Sequence, residues 1–410
     1  MLATAFPDRQ AAGEIPHPTT GRGWLLRLGL FQLQRPKDCA DDWVWLLDHV
    51  VQNGTLKCLM IVGVRLSRLP AVGTCLTLED LEPLAILPVE RSTQEVVFEQ
   101  LQAQAALSGV PCAVLSDEGS DLLGGKRRFC EIHPETRQLS DIAHFAARRL
   151  KQRLEQNERW QEFTRQASLT KSATGQTELA FLAPPSQRSK ARFMNLGPLL
   201  AWSRKTLVVL EKRPPEVLVF CTPERLEEKF GWLREFHTEL TLWSEWQTIC
   251  ETVIDNVRRN GYHAGTAARW ESPQSEPRRS PPTSSPEGAF LRSELVAFVT
   301  QQSSQARPGE RLPGSTEILE SSFGRLKRLE GDHHKGGFTS LVLSHAALLG
   351  RTTTELIGQA LEQVPLKHVW HWCREHLGTT LQSQRTITTH AVNRMALAHL
   401  KCKGTEQNRS

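Results

Sequence analysis

A mixed α/β fold, with helices on both faces of its sheet and a large all-helical segment interrupting it, is predicted by three observations on this 410-residue chain. Apolar runs of strand length cluster within residues 41–155, several of them rich in β-branched residues. From 156 to 312 strand signals nearly vanish and helical patterns take over. From 313 to 400 regular structure resumes with a charged, amphipathic helix and further helices.

Residues 1–40 read as a short lead-in. They are rich in Pro, Gly and Thr at first, then carry GWLLRLGLFQLQR, which mixes apolar and basic residues at no clean period. Arg22, Arg27, Arg35 and Lys37 fall here without a helix-turn-helix pattern. From Asp42 the texture changes. DWVWLLD and LKCLMIVGVRL flank the turn dipeptide Asn53-Gly54 and predict a hairpin, with Asp48 near its turn end. PLAILPV is a third strand. STQEVVFEQLQAQAALSG is a helix capped by Ser92 or Thr93 and ended by Gly109. VPCAVLSD then delivers Asp117 at the end of a fourth strand, RRFCEIH is assigned as the fifth, and SDIAHFAARRLKQRLEQNERWQEF predicts a long amphipathic helix. Hairpin, third strand, helix and fourth strand, in that order, open a ribonuclease-H-like core.

Within 156–312, LGPLLAWSRKTLVVLE, the stretch from PERLEEKF to DNVRR, and FLRSELVAFVTQQ read as helices. A Pro/Ser/Arg-rich flexible loop lies near 269–289. Residues 401–410 are a frayed tail.

Composition bounds the function. Lys and Arg number 50 against 45 Asp and Glu, for a net charge of +5 and a pI of about 8.7, a balance that permits a nucleic-acid partner without demanding one. The nine cysteines are scattered with no CxxC pair, which argues against a disulfide framework or structural zinc. No secretory signal and no membrane-length apolar run is read, so a reducing, cytoplasmic location is expected, nucleoid-associated in a bacterium.

Three carboxylates carry the chemical reading: Asp48 and Asp117 at strands and Glu320 in a helical pattern. Hard divalent cations take oxygen ligands. In two-metal phosphoryl transfer one ion activates the attacking oxygen and the other stabilises the leaving one, about 3.5–4 Å apart, so a bridging carboxylate is needed. Asp48 would bridge, Asp117 would complete one ion's shell, and Glu320 would reach the other from its helix. Leu319, Phe323 and Leu326 follow i, i+4, i+7 and predict a buried stripe, with Glu320, Gly324 and Lys327 on the adjacent one, where Lys327 could touch a phosphate. Each acid also has a plain alternative: Asp48 as a turn acid, Asp117 as a cap of the GSDLLGG turn, and Glu320 as a solvated helix residue.

DWVWLLDHVVQNGTLKCLMIVGVRL, VLSDEGSDLLGG and STEILESSFGRLKRLEGDHHKGGFT resemble the catalytic blocks of DDE transposases with an all-α insertion between the second Asp and the Glu. Many bacterial insertion-sequence enzymes and the hAT and Mutator-like groups are of this kind. The resemblance implies catalytic and metal-binding roles for Asp48, Asp117 and Glu320, with the family's Leu-Glu-Ser-x-Phe pattern matching Glu320 rather than Glu317. It also implies two Mg²⁺ or Mn²⁺ ions, DNA partners (terminal repeats and target), and a homodimer or larger assembly without a membrane. Asp141-Ile-Ala-His144 resembles the family's Cys/Asp-x-x-His pair and is expected to support the site; an N-terminal helix acid and a satisfied histidine are the alternative. Such a transposase usually begins with a DNA-binding module, which residues 1–40 do not resemble. An inactive, transposase-derived DNA-binding protein and a ribonuclease-H-like nuclease without strand transfer therefore stay open.

Lys126, Arg127 and Arg128, with Arg148, Arg149, Lys151 and Arg153 on the following helix, form a basic zone expected to grip phosphates. Trp202, Trp232, Trp243 and Trp246 sit at helical spacing that favours a core over base stacking. Asp332-His333-His334-Lys335 is read as a polar loop.

Overall fold

The computed structural model describes residues 17–53, 56–89, 91–187, 193, 196–266, 284–330, 339–377 and 385–395. Two compact units divide the chain: one comprises 1–71, 76–139 and 316–410, the other 72–75 and 140–315.

The first unit is built on a mixed five-stranded sheet of order β3-β2-β1-β4-β5. Its strands are β1 (Trp43–Asn53), β2 (Leu56–Arg65), β3 (Glu82–Val89), β4 (Ala113–Ser116) and β5 (Arg137–Ser140). β1 pairs antiparallel with β2 and parallel with β4, and β2 pairs antiparallel with β3. This is consistent with the expected ribonuclease-H-like core. The hairpin is longer than expected: β1 runs five residues beyond Asp48, so Asp48 lies mid-strand opposite Met60 rather than at the turn.

Alternation along β1 sorts its side chains into two rows. Trp43, Trp45 and Leu47 join Leu59, Ile61 and Val114 in a buried cluster. The helices α2 (Gln94–Ser108) and α3 (Ser120–Ile132) cover that cluster with Val97, Leu101, Leu122 and Phe129. Thr93 caps α2, its hydroxyl accepting from the Val96 N–H at 3.3 Å. The second row, Val44, Leu46 and Asp48, turns to the opposite face.

α3 overturns one expectation. The segment RRFCEIH lies in this helix, not in a fifth strand, and β5 is formed by the less strand-like Arg137–Ser140. The physical reason is a stripe that begins before the segment: Leu122, Gly125, Lys126, Phe129 and Cys130 are all buried at helical spacing. A Cβ on Gly125 would meet Val97 side-chain carbons at 2.6 Å, so the missing side chain lets α3 lie directly on α2.

The lead-in also differs from expectation, because its residues 18–34 form helix α1 (Pro18–Gln34). Pro18 opens it, and Leu26, Leu28 and Leu30 are all buried. No single period is visible in its sequence because its sides pack against several partners. These are β3, α11 (Val342–Leu348), α12 (Thr354–Gln363) and α13 (Leu366–His376). Its basic residues are structural. Arg27 donates to the carbonyls of Leu361 and Val364 at the end of α12, and Arg35 and Lys37 both pair with Glu82.

Gly29 is the crossing point of α1 and α11. A Cβ there would stand 2.0 Å from the Leu343 carbonyl oxygen, a backbone atom that cannot step aside alone. Gly29→Ala should therefore destabilise the fold by about 2–3 kcal/mol despite the better helix propensity of alanine. A urea titration would read this as a lowered midpoint; an unchanged or higher midpoint would refute the close crossing.

The second unit is helical among its described residues, apart from an isolated bridge between Tyr262 and Leu312. Its helices are α4 (Ile142–Glu155), α5 (Glu158–Thr174), α6 (Leu196–Lys212), α7 (Pro223–Phe230), α8 (His237–Asn260) and α9 (Pro286–Ser303), with shorter turns between them. Helix α4 is tied into this unit. Ser140 N–H donates to Gln302, Tyr262 Oη donates to the Ser140 carbonyl, and Ile142 N–H donates to the Gly314 carbonyl.

Trp160, Phe163, Trp232, Phe236 and Trp243 pack ring against ring at the centre of this unit. Trp202 and Trp246 are also buried. Trp202 Nε1 donates to the Leu182 carbonyl and Trp232 Nε1 to Thr170 Oγ1. These indoles pack in the core, as their helical spacing predicts.

Helix α10 (Glu317–Glu330) returns the chain to the first unit. Among the described residues no helix is long and apolar enough to cross a membrane.

Candidate functional site

Two of the three expected acids stand at the end of the β1–β4 pairing. β1 and β4 run parallel, with Leu47 and Ser116 as the last pair; Asp48 is the next residue of β1 and Asp117 the first residue after β4. Alternation places Asp48 on the face opposite the cluster under α2 and α3. Asp48 is 9% exposed and its Oδ1 accepts the His49 N–H at 2.7 Å. Asp117 is half-buried; its Oδ1 accepts the Gly119 N–H at 3.0 Å and so folds the turn into α3. The turn-capping alternative for Asp117 is thus realised.

Glu320 belongs to the same compact unit as Asp48 and Asp117, although the helical unit separates them in sequence. It is exposed in the first turn of α10, beside the buried Leu319, Ser322 and Phe323. Gly324 is exposed, with open space around it. The side chains of Leu326 and Lys327 and the whole of Asp332-His333-His334-Lys335 lie outside the described residues.

The fit to a divalent ion is partial. Asp48 and Asp117 supply hard oxygen donors just past the last β1–β4 pair. Among the described residues no group of three or more His, Cys, Asp or Glu side chains is arranged to hold a metal, so Glu320 is not joined to the pair.

Beneath the acids, on the face carrying α2 and α3, lies a polar cluster that no local sequence signal announced. Lys57 Nζ and Asp121 Oδ2 are 2.6 Å apart, His49 Nδ1 lies 3.9 Å from the same oxygen, and Ser92 Oγ is 3.1 Å from His49 Nε2. Burial pushes the Asp121 carboxyl up. Hydrogen bonds from Lys57 and Ser92 and the positive charge of its neighbours outweigh this and hold it below the usual range. Burial lowers the His49 pKa against the attraction of Asp121, with a further raising contribution from Asp117. The Asp121 anion near the start of α3, answered by Lys57, stabilises the helix end that follows Asp117.

Several expected contacts to nucleic acid are revised. Lys126 is fully buried, its Nζ donating to the Leu139 carbonyl at 2.6 Å. Burial lowers its pKa to about 8, against the attraction of Cys130, Asp117 and Glu118. It cannot reach a phosphate and serves as an internal tie. Arg127 and Arg128 are exposed on α3, Arg128 lying over the Phe98 ring and 3.8 Å from Glu95.

In the second unit Arg148 is exposed, whereas Arg149 is half-buried against Phe145 and 3.6 Å from Glu294. Asp141 is the N-cap of α4, wholly buried, and accepts the His144 N–H at 2.9 Å. Its i, i+3 relation to His144 is a capping bond, so Asp141 does not present itself to DNA. His144 is half-buried.

No protein-family model and no curated protein matches the chain. Among solved structures it is similar to a Drosophila P element transposase strand transfer complex, at 12% identity and a TM-score of 0.34, over 87% of this chain and 91% of that one.

Proposed function

We propose that the protein is a metal-dependent DNA transposase that cleaves strands at the ends of a mobile element and transfers them to target DNA. The observation that carries this reading is the parallel β1–β4 pairing of a mixed sheet, which ends at Leu47 and Ser116 with Asp48 and Asp117 as the residues that follow. The return of the chain through Glu320 to the same unit supports it. Asp48 would bridge two Mg²⁺ or Mn²⁺ ions, Asp117 would complete one shell and Glu320 the other. When bound, the ions would supply an activated oxygen nucleophile and charge neutralisation at phosphorus. The chain's own part is to present the carboxylates, and to engage the DNA backbone through exposed arginines such as Arg127 and Arg148. Two element ends require at least a dimer. A non-catalytic DNA-binding protein is the second reading, favoured by Glu320 standing outside any three-acid group among the described residues.

The test is Mg²⁺-dependent nicking of end-labelled duplex DNA by the wild type, Asp117→Asn and Glu320→Gln. Loss in both variants, with the DNA still shifted on a native gel, supports catalysis. Equal nicking by all three rejects the assignment, and a gel shift without any nicking selects the second reading. Joining of the cut 3′ end to a second duplex separates a transposase from a simple nuclease.

A further inference from the structure

α10 is anchored through one buried polar contact. Ser322 and His345 are each 0% exposed, and Ser322 Oγ lies 2.6 Å from His345 Nε2 on α11. The serine hydroxyl also donates to the Leu319 carbonyl, one helical turn back, at 2.5 Å. A hydroxyl has one proton to give. With that proton committed to Leu319, Ser322 Oγ must accept from the imidazole, so Nε2 carries the ring hydrogen and Nδ1 is the bare nitrogen. Nδ1 is buried and, among the described residues, has no hydrogen-bond partner. The chain of donors is therefore directional, running from His345 Nε2–H to Ser322 Oγ–H to the Leu319 carbonyl. The Phe323 ring lies 5.1 Å from the imidazole at a 35° tilt, which adds a packing contact on the next residue of the same stripe.

Leu319, Ser322 and Phe323 form the buried side of α10, and Glu320 projects from the turn they hold. An apolar stripe alone tolerates sliding and rolling of one helix on another, whereas a hydrogen bond of fixed direction in a dry interface does not. We infer that His345 is a positioning residue for Glu320: through Ser322 it fixes the roll and depth of α10, and with them the place from which the carboxylate is presented. This rests on the reading of Glu320 as a metal-binding carboxylate.

Three variants of the full chain test it: His345→Leu, which removes the donor; Ser322→Ala, which removes the relay; and His345→Gln, whose amide nitrogen can stand where Nε2 stood. Hydrogen exchange of the α10 amides is the readout independent of activity, with β1 and β2 amides as the internal reference. Exchange across α10 is expected to rise about tenfold or more in His345→Leu and Ser322→Ala, and to return towards wild type in His345→Gln. The Mg²⁺ concentration for half-maximal nicking should rise about tenfold in the first two variants and be restored in the third. Unchanged α10 exchange in Ser322→Ala overturns the anchor, and this small substitution keeps the question open to measurement should His345→Leu fail to fold. Faster α10 exchange with an unchanged Mg²⁺ requirement would show that the anchor exists and that Glu320 is not the ligand it is proposed to be.

Discussion

Asp48→Asn is expected to cut Mg²⁺-dependent nicking by about a thousandfold or more while leaving the protein folded. The substitution keeps the size and planarity of the side chain, and an amide oxygen can still accept the His49 N–H that Asp48 Oδ1 accepts at 2.7 Å. The antiparallel pairing of position 48 with Met60 involves main-chain atoms only and is untouched. What disappears is the negative charge of Asp48. A bridging carboxylate contributes to both proposed ions, and withdrawing several kcal/mol of transition-state stabilisation corresponds to roughly three orders of magnitude in rate. Supercoiled-plasmid nicking at saturating Mg²⁺ gives the rate, and thermal melting followed by circular dichroism reports the fold. Nicking within about threefold of wild type would remove Asp48 from the mechanism. A large fall in melting temperature would reassign it to structure.

How far the sequence could lead to this site differs from residue to residue. β1, β2 and β4 were legible because strands buried on both faces read as continuous apolar runs, and Asp48 and Asp117 stood out as charges at such runs. The parallel pairing of β1 with β4 was not legible, since its register depends on the whole crossover through β2, β3 and α2. α3 was hidden because Phe129 and Cys130 look like strand residues until Leu122 and Gly125 are counted in the same stripe. The burial of Lys126 contradicts the ordinary behaviour of lysine and is possible only because the Leu139 carbonyl on β5 receives its ammonium group.

Long-range polar pairs left still less trace. Lys57 and Asp121 are 64 residues apart, and Ser322 and His345 are 23 apart with their helices joined by an intervening segment. Nothing within either residue's own window signals the partner, because such pairs are selected by the three-dimensional approach of two elements. The Asp141–His144 relation was visible for the opposite reason: i, i+3 spacing is local. Local spacing, however, could not separate a capping bond from a pair facing a ligand, and the 0% exposure of Asp141 decides for the cap.

Acid should unfold this protein partly through His345, and the effect is large enough to isolate. Burial lowers the pKa of this imidazole from the ordinary 6.5 to about 3. In the unfolded chain the ring takes up a proton as the pH falls through 6.5, while in the folded protein it stays neutral until about 3. Between those values the unfolded state binds one proton more, so stability falls as the pH falls. Above 6.5 both states are neutral at this residue and its contribution is flat. The slope is about 1.4 kcal/mol per pH unit, reaching about 5 kcal/mol near pH 3, comparable with the whole stability of an ordinary domain. Carboxylates titrate in the same window, so the wild type must be compared with His345→Gln, which keeps the donor to Ser322 and has no ionisation. Urea unfolding of both proteins at pH 7, 6, 5 and 4 should show the wild type losing ground on the variant by about 1.4 kcal/mol for each unit below 6. Parallel stability curves would mean that the imidazole is solvated or charged in the folded state. A neutral His345 also fits the surroundings of Nδ1, since a doubly protonated ring would bury a second N–H where the described residues offer it no acceptor.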